Sequence, residues 1–363
     1  MMAAFELLLS AMAALANAGI ARGSTALWIA LTAWSTLSLS RAAADAVSLF
    51  EWLPGVEWFR ASGVLWFAIS LPLWIAMRMW TRPVETDLVR RRLMAQGAAV
   101  VMAPGAGIGY AIHRSRQDAQ IRECTIPVPD LPAELEGLRL VQISDIHLSS
   151  FFSRDQLRRV VDQANDLRAD LALVTGDLIT VAGDPLHEAI AELARLRADR
   201  GVLGCLGNHE IVARSERETV RMGARRGMRF LRQEAECLRF GCARLNVAGV
   251  DYQRKQRPYL TGAESLLRAD AVNLLLSHNP DVFPVAAAQG WNVTVAGHTH
   301  GGQITLEYLH PSLNPARFYT PFTYGLYQQE GHSLFVTSGL GTVGIPARFG
   351  TQAEVALLRL VRA

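Results

Sequence analysis

Five hydrophobic runs of strand length each end in a short polar motif, and this repeated pairing limits what the chain can fold into more than any other feature. LRLVQIS runs into SDIH, DLALVTG into TGDL, GVLGCLG into GNHE, VNLLLS into SHNPD, and WNVTVAG into GHTHGGQ. Short apolar runs bounded by turn residues read as buried strands. Asp145, His147, Asp177, Asn208, His209, His278, His298 and His300 therefore all stand where a strand gives way to a loop. In layered α/β folds the loops at one sheet edge converge on a common crevice, so ligands far apart in sequence can meet.

The residue types restrict the chemistry. Five of the nine histidines lie in these motifs, and with carboxylate and carboxamide groups they suit first-row divalent ions such as manganese, iron, cobalt or zinc. No cysteine stands at a ligand position, which disfavours a sulfur-ligated structural zinc. Seven ligands are too many for one tetrahedral ion, whereas two ions sharing a carboxylate use them all. Taken singly, Asp145, Asp177 and Asn208 also read as turn formers or helix caps, because Asp and Asn bond their local backbone at strand ends. As an ordered set with the alternating histidines of GHTH they read as a dinuclear metal site.

The order D-x-H, G-D, G-N-H-E, H, G-H-x-H resembles the calcineurin-like metallophosphoesterase superfamily over roughly residues 138–362. SHNPDVF, GHTHGGQ and GLGTVGIPARFG are similar to its membrane-associated branch. The resemblance implies an α-β-β-α sandwich of two mixed sheets. It also implies one ion on Asp145, His147 and His300, a second on Asn208, His278 and His298, and Asp177 bridging them. Two-metal hydrolysis by in-line attack of an activated water at phosphorus follows. His209 then donates a hydrogen bond or proton to the phosphate or leaving oxygen, with Glu210 orienting it. Thr180 departs from the pattern, because relatives often carry an acid just after the G-D motif.

Four stretches lack charge altogether: 7–21, 23–40, 61–77 and 94–112. They approach the length needed to span hydrocarbon and show no charged face, so residues 1–112 read as a membrane domain of about four transmembrane helices rather than a soluble bundle. Arg78, Arg82, Arg90, Arg91 and Arg92 crowd the third loop, which the positive-inside rule places in the cytoplasm. The fourth helix then runs outward and puts the catalytic domain on the periplasmic or external side of a multi-pass inner-membrane protein. Arg90 to Leu93 and the apolar stretch behind them also resemble a twin-arginine export signal.

Residues 113–136 read as a polar connector with one strand at 124–128, and 137–363 as the metallophosphoesterase domain. Leu157, Val160, Val161, Ala164 and Leu167 recur at helical spacing, and further helices are expected over 186–197 and near 214–225 and 281–289. Late strands are expected at SLFVTS and VALLRL. Phe151, Phe152, Tyr308, Phe318, Tyr319, Phe322, Tyr324 and Tyr327 admit two readings, a greasy rim for a lipid or ordinary loop packing. Cys205 reads as core.

A net charge of +3 with no long basic run in the catalytic half excludes a polyanion groove, so a nuclease and a nucleic-acid partner are not expected. The expected partners are the lipid bilayer and a lipid-linked or envelope phosphate ester or pyrophosphate. Some relatives hydrolyse the pyrophosphate of UDP-2,3-diacylglucosamine in lipid A synthesis, a reading that requires a cytoplasmic catalytic domain. A non-catalytic metal-binding sensor or scaffold would be signalled by a missing ligand, and the sequence retains them all.

Overall fold

The computed structural model describes residues 119–254, 259–307 and 312–363, with Tyr110 and His310. Among the described residues no helix is long and apolar enough to cross a membrane. The four charge-free stretches, Tyr110 apart, and the arginine-rich loop lie outside the described residues, as does Tyr308. Residues Arg114–Val343 and Arg348–Ala363 form one compact unit. A second unit groups Met1–His113 with Gly344–Ala347.

The first unit is built on twelve strands in two mixed six-stranded sheets. Strands β1 (Gln120–Val128), β2 (Arg139–Ile143), β3 (Leu171–Thr175), β4 (Val202–Cys205), β5 (Met228–Phe230) and β12 (Glu354–Arg362) make one, in the order β1-β12-β2-β3-β4-β5. Strands β6 (Glu234–Phe240), β7 (Ala243–Gly249), β8 (Val272–Leu276), β9 (Val293–Ala296), β10 (Gly325–Gln329) and β11 (His332–Val336) make the other, in the order β10-β11-β9-β8-β7-β6. The runs that end in motifs, β2, β3 and β4 in one sheet and β8 and β9 in the other, are parallel to their neighbours in the set. Their carboxyl ends therefore open on one edge of each sheet.

Burial explains the layers. Leu140, Leu171, Leu173 and Leu358 of the first sheet share a core with Leu245, Leu274, Val293 and Phe335 of the second. On the outer face of the first sheet, Val141, Ile143 and Val174 meet helices α1 (Arg154–Asp166) and α2 (Leu186–Leu193). Beyond α3 (Asn208–Val212) and α4 (Glu216–Ala224), helix α5 (Phe283–Gln289) covers the second sheet, where Ala286 and Trp291 pack with Ala248 and Leu275. This is the expected four-layer arrangement. Each central strand is apolar on both faces because each is covered on both.

Helix α1 has the expected apolar positions on its buried face and a reciprocal cap: Gln156 N–H donates to Ser153 Oγ and Ser153 N–H to Gln156 Oε1. Phe152, one residue before the cap, packs in the same core as Leu157, so it staples the helix start. Phe151 is buried as well, Phe322 packs edge-on to Phe283 and Tyr327 edge-on to Phe322, which leaves Phe318 and Tyr319 as the exposed members of the aromatic set among the described residues.

Two expectations need correcting, and one hairpin is an addition to them. The connector is not merely a linker: its strand begins at Gln120 and pairs along its whole length with β12. Helix α2 stops at Leu193 instead of running to 197, because the Asn165 amide donates to Arg195 O and accepts from Arg197 N–H, drawing the chain off the helical path. The β6–β7 hairpin went unread. Its exposed alternation in EAECLRF is weak, and its turn rests on Gly241 at φ 59°.

Glu192 ties α2 to α1. It is buried, and accepts from Arg154 (2.6 Å) and Arg158 (3.1 Å) of α1 and from Arg195 (3.1 Å). The hydrogen bonds from these arginines, Arg158 foremost, hold its carboxyl at about 2 despite burial. The folded value lies below the unfolded one, so this contribution is complete above pH 4.5 and is lost as pH falls toward 2. Glu192→Gln is expected to lower the melting temperature at neutral pH by roughly 2–4 °C. Calorimetry should show the gap closing on acidification; a gap that stays constant would mean the carboxylate charge is not the tie.

Candidate metal centre

The strand-end loops are locked to one another by backbone and side-chain bonds that cross between the sheets. Asp145 N–H donates to Gly176 O and His147 N–H to Asp177 O, joining the loops after β2 and β3. Across the sandwich, Gln142 Nε2 donates to Ala296 O at 3.0 Å, and His298 N–H to Asp145 Oδ1 at 2.9 Å. Seven of the eight residues singled out in the sequence meet at this junction, in three overlapping groups within each of which the ligand atoms lie within 4.8 Å of one another: Asp145, His147, His300; His147, Asp177, His209; and Asp177, His278, His298. Asn208 joins them from the first turn of α3, directly before His209.

The imidazoles are oriented from behind. His278 Nδ1–H donates to Thr175 O at 2.7 Å, and His147 Nδ1 lies 3.2 Å from Thr180 Oγ1. This leaves Nε2 of both rings, together with Asn208 Oδ1, buried without a hydrogen-bond partner. Buried side-chain atoms left this way are rare in folded proteins and suit a site that takes a metal ion. His278 Nε2 lies 3.0 Å from Asp177 Oδ2, and His147 Nε2 approaches the same oxygen at 3.6 Å. That oxygen thus faces one histidine from each of the two expected ligand sets.

Electrostatics point the same way. Asp145, Asp177 and Glu210 are at most 1% exposed. Burial raises the Asp145 carboxyl, whereas at Asp177 burial is outweighed by His278 and His209, which hold it well below the usual range. Burial depresses His147 to about 3, but His278 is carried against burial to about 10 by Asp177 and Asp145. The two carboxylates thus favour the charged form of the His278 ring, and a divalent cation would supply positive charge at the same place. The donor set of carboxylates, one amide oxygen and imidazoles fits first-row divalent ions.

Five of the seven proposed ligands, Asp145, His147, Asp177, His298 and His300, have φ between 47° and 76°. That region costs a residue with a Cβ about 1–2 kcal/mol, so the surroundings must over-determine it. Glu210 is part of the clamp, its carboxylate accepting from the N–H groups of Asp177 (2.9 Å), Leu178 (2.7 Å) and Gly207 (2.7 Å). It therefore does not orient His209. The Thr180 carbonyl does, taking the His209 Nδ1–H at 2.6 Å. Gly207 is required because a Cβ there would lie 2.1 Å from Asp177 Oδ1.

Sequence reasoning missed two neighbours. Tyr252 OH lies 3.3 Å from His298 Nε2; it follows β7, another strand ending at the same edge, and went unseen with the hairpin. Arg348 lies 3.4 Å from His300 Nδ1, and its signal was its place in GLGTVGIPARFG.

Comparison with known proteins agrees with this geometry. The calcineurin-like phosphoesterase family matches residues 138–302. An uncharacterized metallophosphoesterase, YkuE of Bacillus subtilis, is 30% identical over 266 residues, covering 72% of this chain and 93% of that protein. A transmembrane protein with metallophosphoesterase domain from Danio rerio is 29% identical over 268 residues, and one from Bos taurus 29% over 296 residues. The chain spans 60% and 63% of the lengths of these two. By the motif order, the fold and the near-complete match to its Bacillus relative, the chain belongs to the calcineurin-like phosphoesterase family.

Proposed function

We propose that the chain is a membrane-anchored, dinuclear metal-dependent phosphoesterase acting on a lipid-linked or envelope phosphate ester or pyrophosphate. The observation that carries the dinuclear reading is Asp177 Oδ2, set between the unpartnered Nε2 atoms of His147 and His278. Asp145, His147 and His300 would hold one ion and Asn208, His278 and His298 the other, with Asp177 shared between them. When bound, such a pair supplies Lewis acidity for the phosphoryl oxygens and acidifies a water for in-line attack.

The protein's own groups do the rest. Asp177 Oδ1 accepts the His209 N–H at 2.8 Å, which fixes the bridging carboxylate and α3 together. His209 keeps its Nδ1 proton on Thr180 O, so Nε2 is the atom it presents to substrate. Charged, the ring gives Nε2–H to a phosphate or leaving oxygen; neutral, it accepts there. Its ring stands edge-on to His147 at 4.7 Å between centroids, close enough to serve the same phosphoryl group.

Support for the membrane comes from the charge-free stretches within residues 1–112 and from the printed names of the Danio and Bos relatives. Manganese, iron and zinc all suit the donors.

Three outcomes test this reading. Asp177→Ala should lose most bound metal by elemental analysis and all hydrolysis of a chromogenic phosphodiester; near-normal turnover would sink the dinuclear site. His209→Ala should keep both ions and lose about 10²- to 10⁴-fold in kcat, whereas metal loss in parallel with rate would make His209 a ligand. A phosphatase reporter fused after Ala363 should be active on the external side, because five arginines hold the 78–92 loop inside. A cytoplasmic signal, confirmed by protease shielding in sealed vesicles, would refute external placement and favour a substrate made inside the cell.

A further inference from the structure

Arg348 is 1% exposed, yet among the described residues no ion pair involves it. Its guanidinium is instead spent on main-chain carbonyls: Nη2 donates to Gly341 O (2.5 Å), Ser338 O (2.9 Å) and Gly339 O (3.3 Å), Nε to Gly341 O (3.2 Å) and Nη1 to Gln352 O (3.5 Å). The planar fork of arginine suits this, and a buried guanidinium so enclosed anchors the loop that wraps it.

That loop backs the metal ligands. Leu340 N–H donates to Ser144 O and Gly341 N–H to Asp145 O at 2.7 Å. A Cβ on Gly339 would lie 2.5 Å from Asp145 Cβ, and one on Gly341 would lie 2.2 Å from Ile146 O and 2.9 Å from His147 Cβ. The 338–341 segment is thus pressed flush against the strained Asp145–His147 turn. Nη2 also reaches His300 Nδ1 at 3.4 Å. A ring that gives its Nε2 lone pair to an ion carries its proton on Nδ1 and cannot accept there, so this is a packing contact that limits the swing of the ring.

We infer that Arg348 is a positioning residue for one half of the site, setting Asp145 and His147 through the 338–341 loop and His300 by direct contact. The inference rests on the dinuclear reading. Its unequal reach is its signature: Arg348 and the 338–341 loop touch Asp145, His147 and His300 directly, and meet the other half only through the His298 N–H that Asp145 accepts at 2.9 Å.

The test is Mn²⁺ binding to the full 363-residue chain by calorimetry and electron paramagnetic resonance. Arg348→Lys keeps the charge and loses the fork. It should weaken one of two Mn²⁺ sites about 10- to 100-fold and the other by clearly less. At limiting metal, the spectrum of a coupled pair should give way to that of an isolated ion, with thermal unfolding still cooperative. Gly339→Ala, which disturbs the same turn without touching the guanidinium, should weaken the same site. Two unchanged affinities in Arg348→Lys, or equal loss of both ions, would overturn the inference. So would failure of both variants to fold, since Arg348 would then be a pin for the fold rather than for one ion. A wild-type chain that binds fewer than two Mn²⁺ would instead defeat the dinuclear reading itself, which separates the two failures.

Discussion

The buried carboxylate of Asp177 is the constraint on which the site depends. It is 1% exposed, lies at the end of a strand buried on both faces, and is joined in the same dry junction by Asp145 and Glu210. Anionic carboxylates do not persist at such depth without cations or donated hydrogen bonds. Glu210 is satisfied by three backbone N–H groups, but Asp177 and Asp145 accept from one each, those of His209 and His298, and call for positive charge between them. Placing the parallel strands of two sheets so that their carboxyl ends face one another makes this demand possible, because ligands then arrive from both layers. The fold is in this sense a device for keeping repelling and strained groups together.

Strain is concentrated where the ligands are. Asp145, His147, Asp177, His298 and His300 take left-handed backbone conformations that an unconstrained chain would leave. They are held by close packing against glycines that have no room for a Cβ, Gly207 against Asp177 and Gly339 against Asp145. A loop free to relax would surrender both the strain and the geometry, so rigidity at this edge is a condition of metal binding rather than a by-product of packing.

Much of this was legible before any coordinates. The five strand ends announced the site, because an apolar run followed by Asp, Asn or His can be read from residue types alone. What could not be read was the orientation of the rings. His278 and His209 are fixed by the carbonyls of Thr175 and Thr180, and a carbonyl leaves no mark in a sequence, since every residue has one. Glu210 looked like a partner for its neighbour His209 but reaches back to the loop after β3, some thirty residues earlier. The early end of α2 is likewise decided by Asn165, on a different helix. Each miss is a tertiary contact overriding a local pattern, and Tyr252 was lost because its strand was too weakly patterned to recognise.

The two halves of the centre are unlike in charge. The Asp145, His147 and His300 set owns a carboxylate in addition to its share of Asp177, whereas Asn208, His278 and His298 bring only neutral donors once His278 has given up its proton. On Coulombic grounds the first set would bind a dication more strongly. Arg348 stands on that side, hydrogen-bonded to carbonyls rather than to a carboxylate, with Asp145 and Glu354 as its nearby anions. Burial lowers the guanidinium only to about 10, and it remains charged at neutral pH. A cation fixed beside the more anionic set is therefore part of the electrostatics of that half of the site, and it is held charged against burial by the same carboxylate, Asp145, that the loop around it supports.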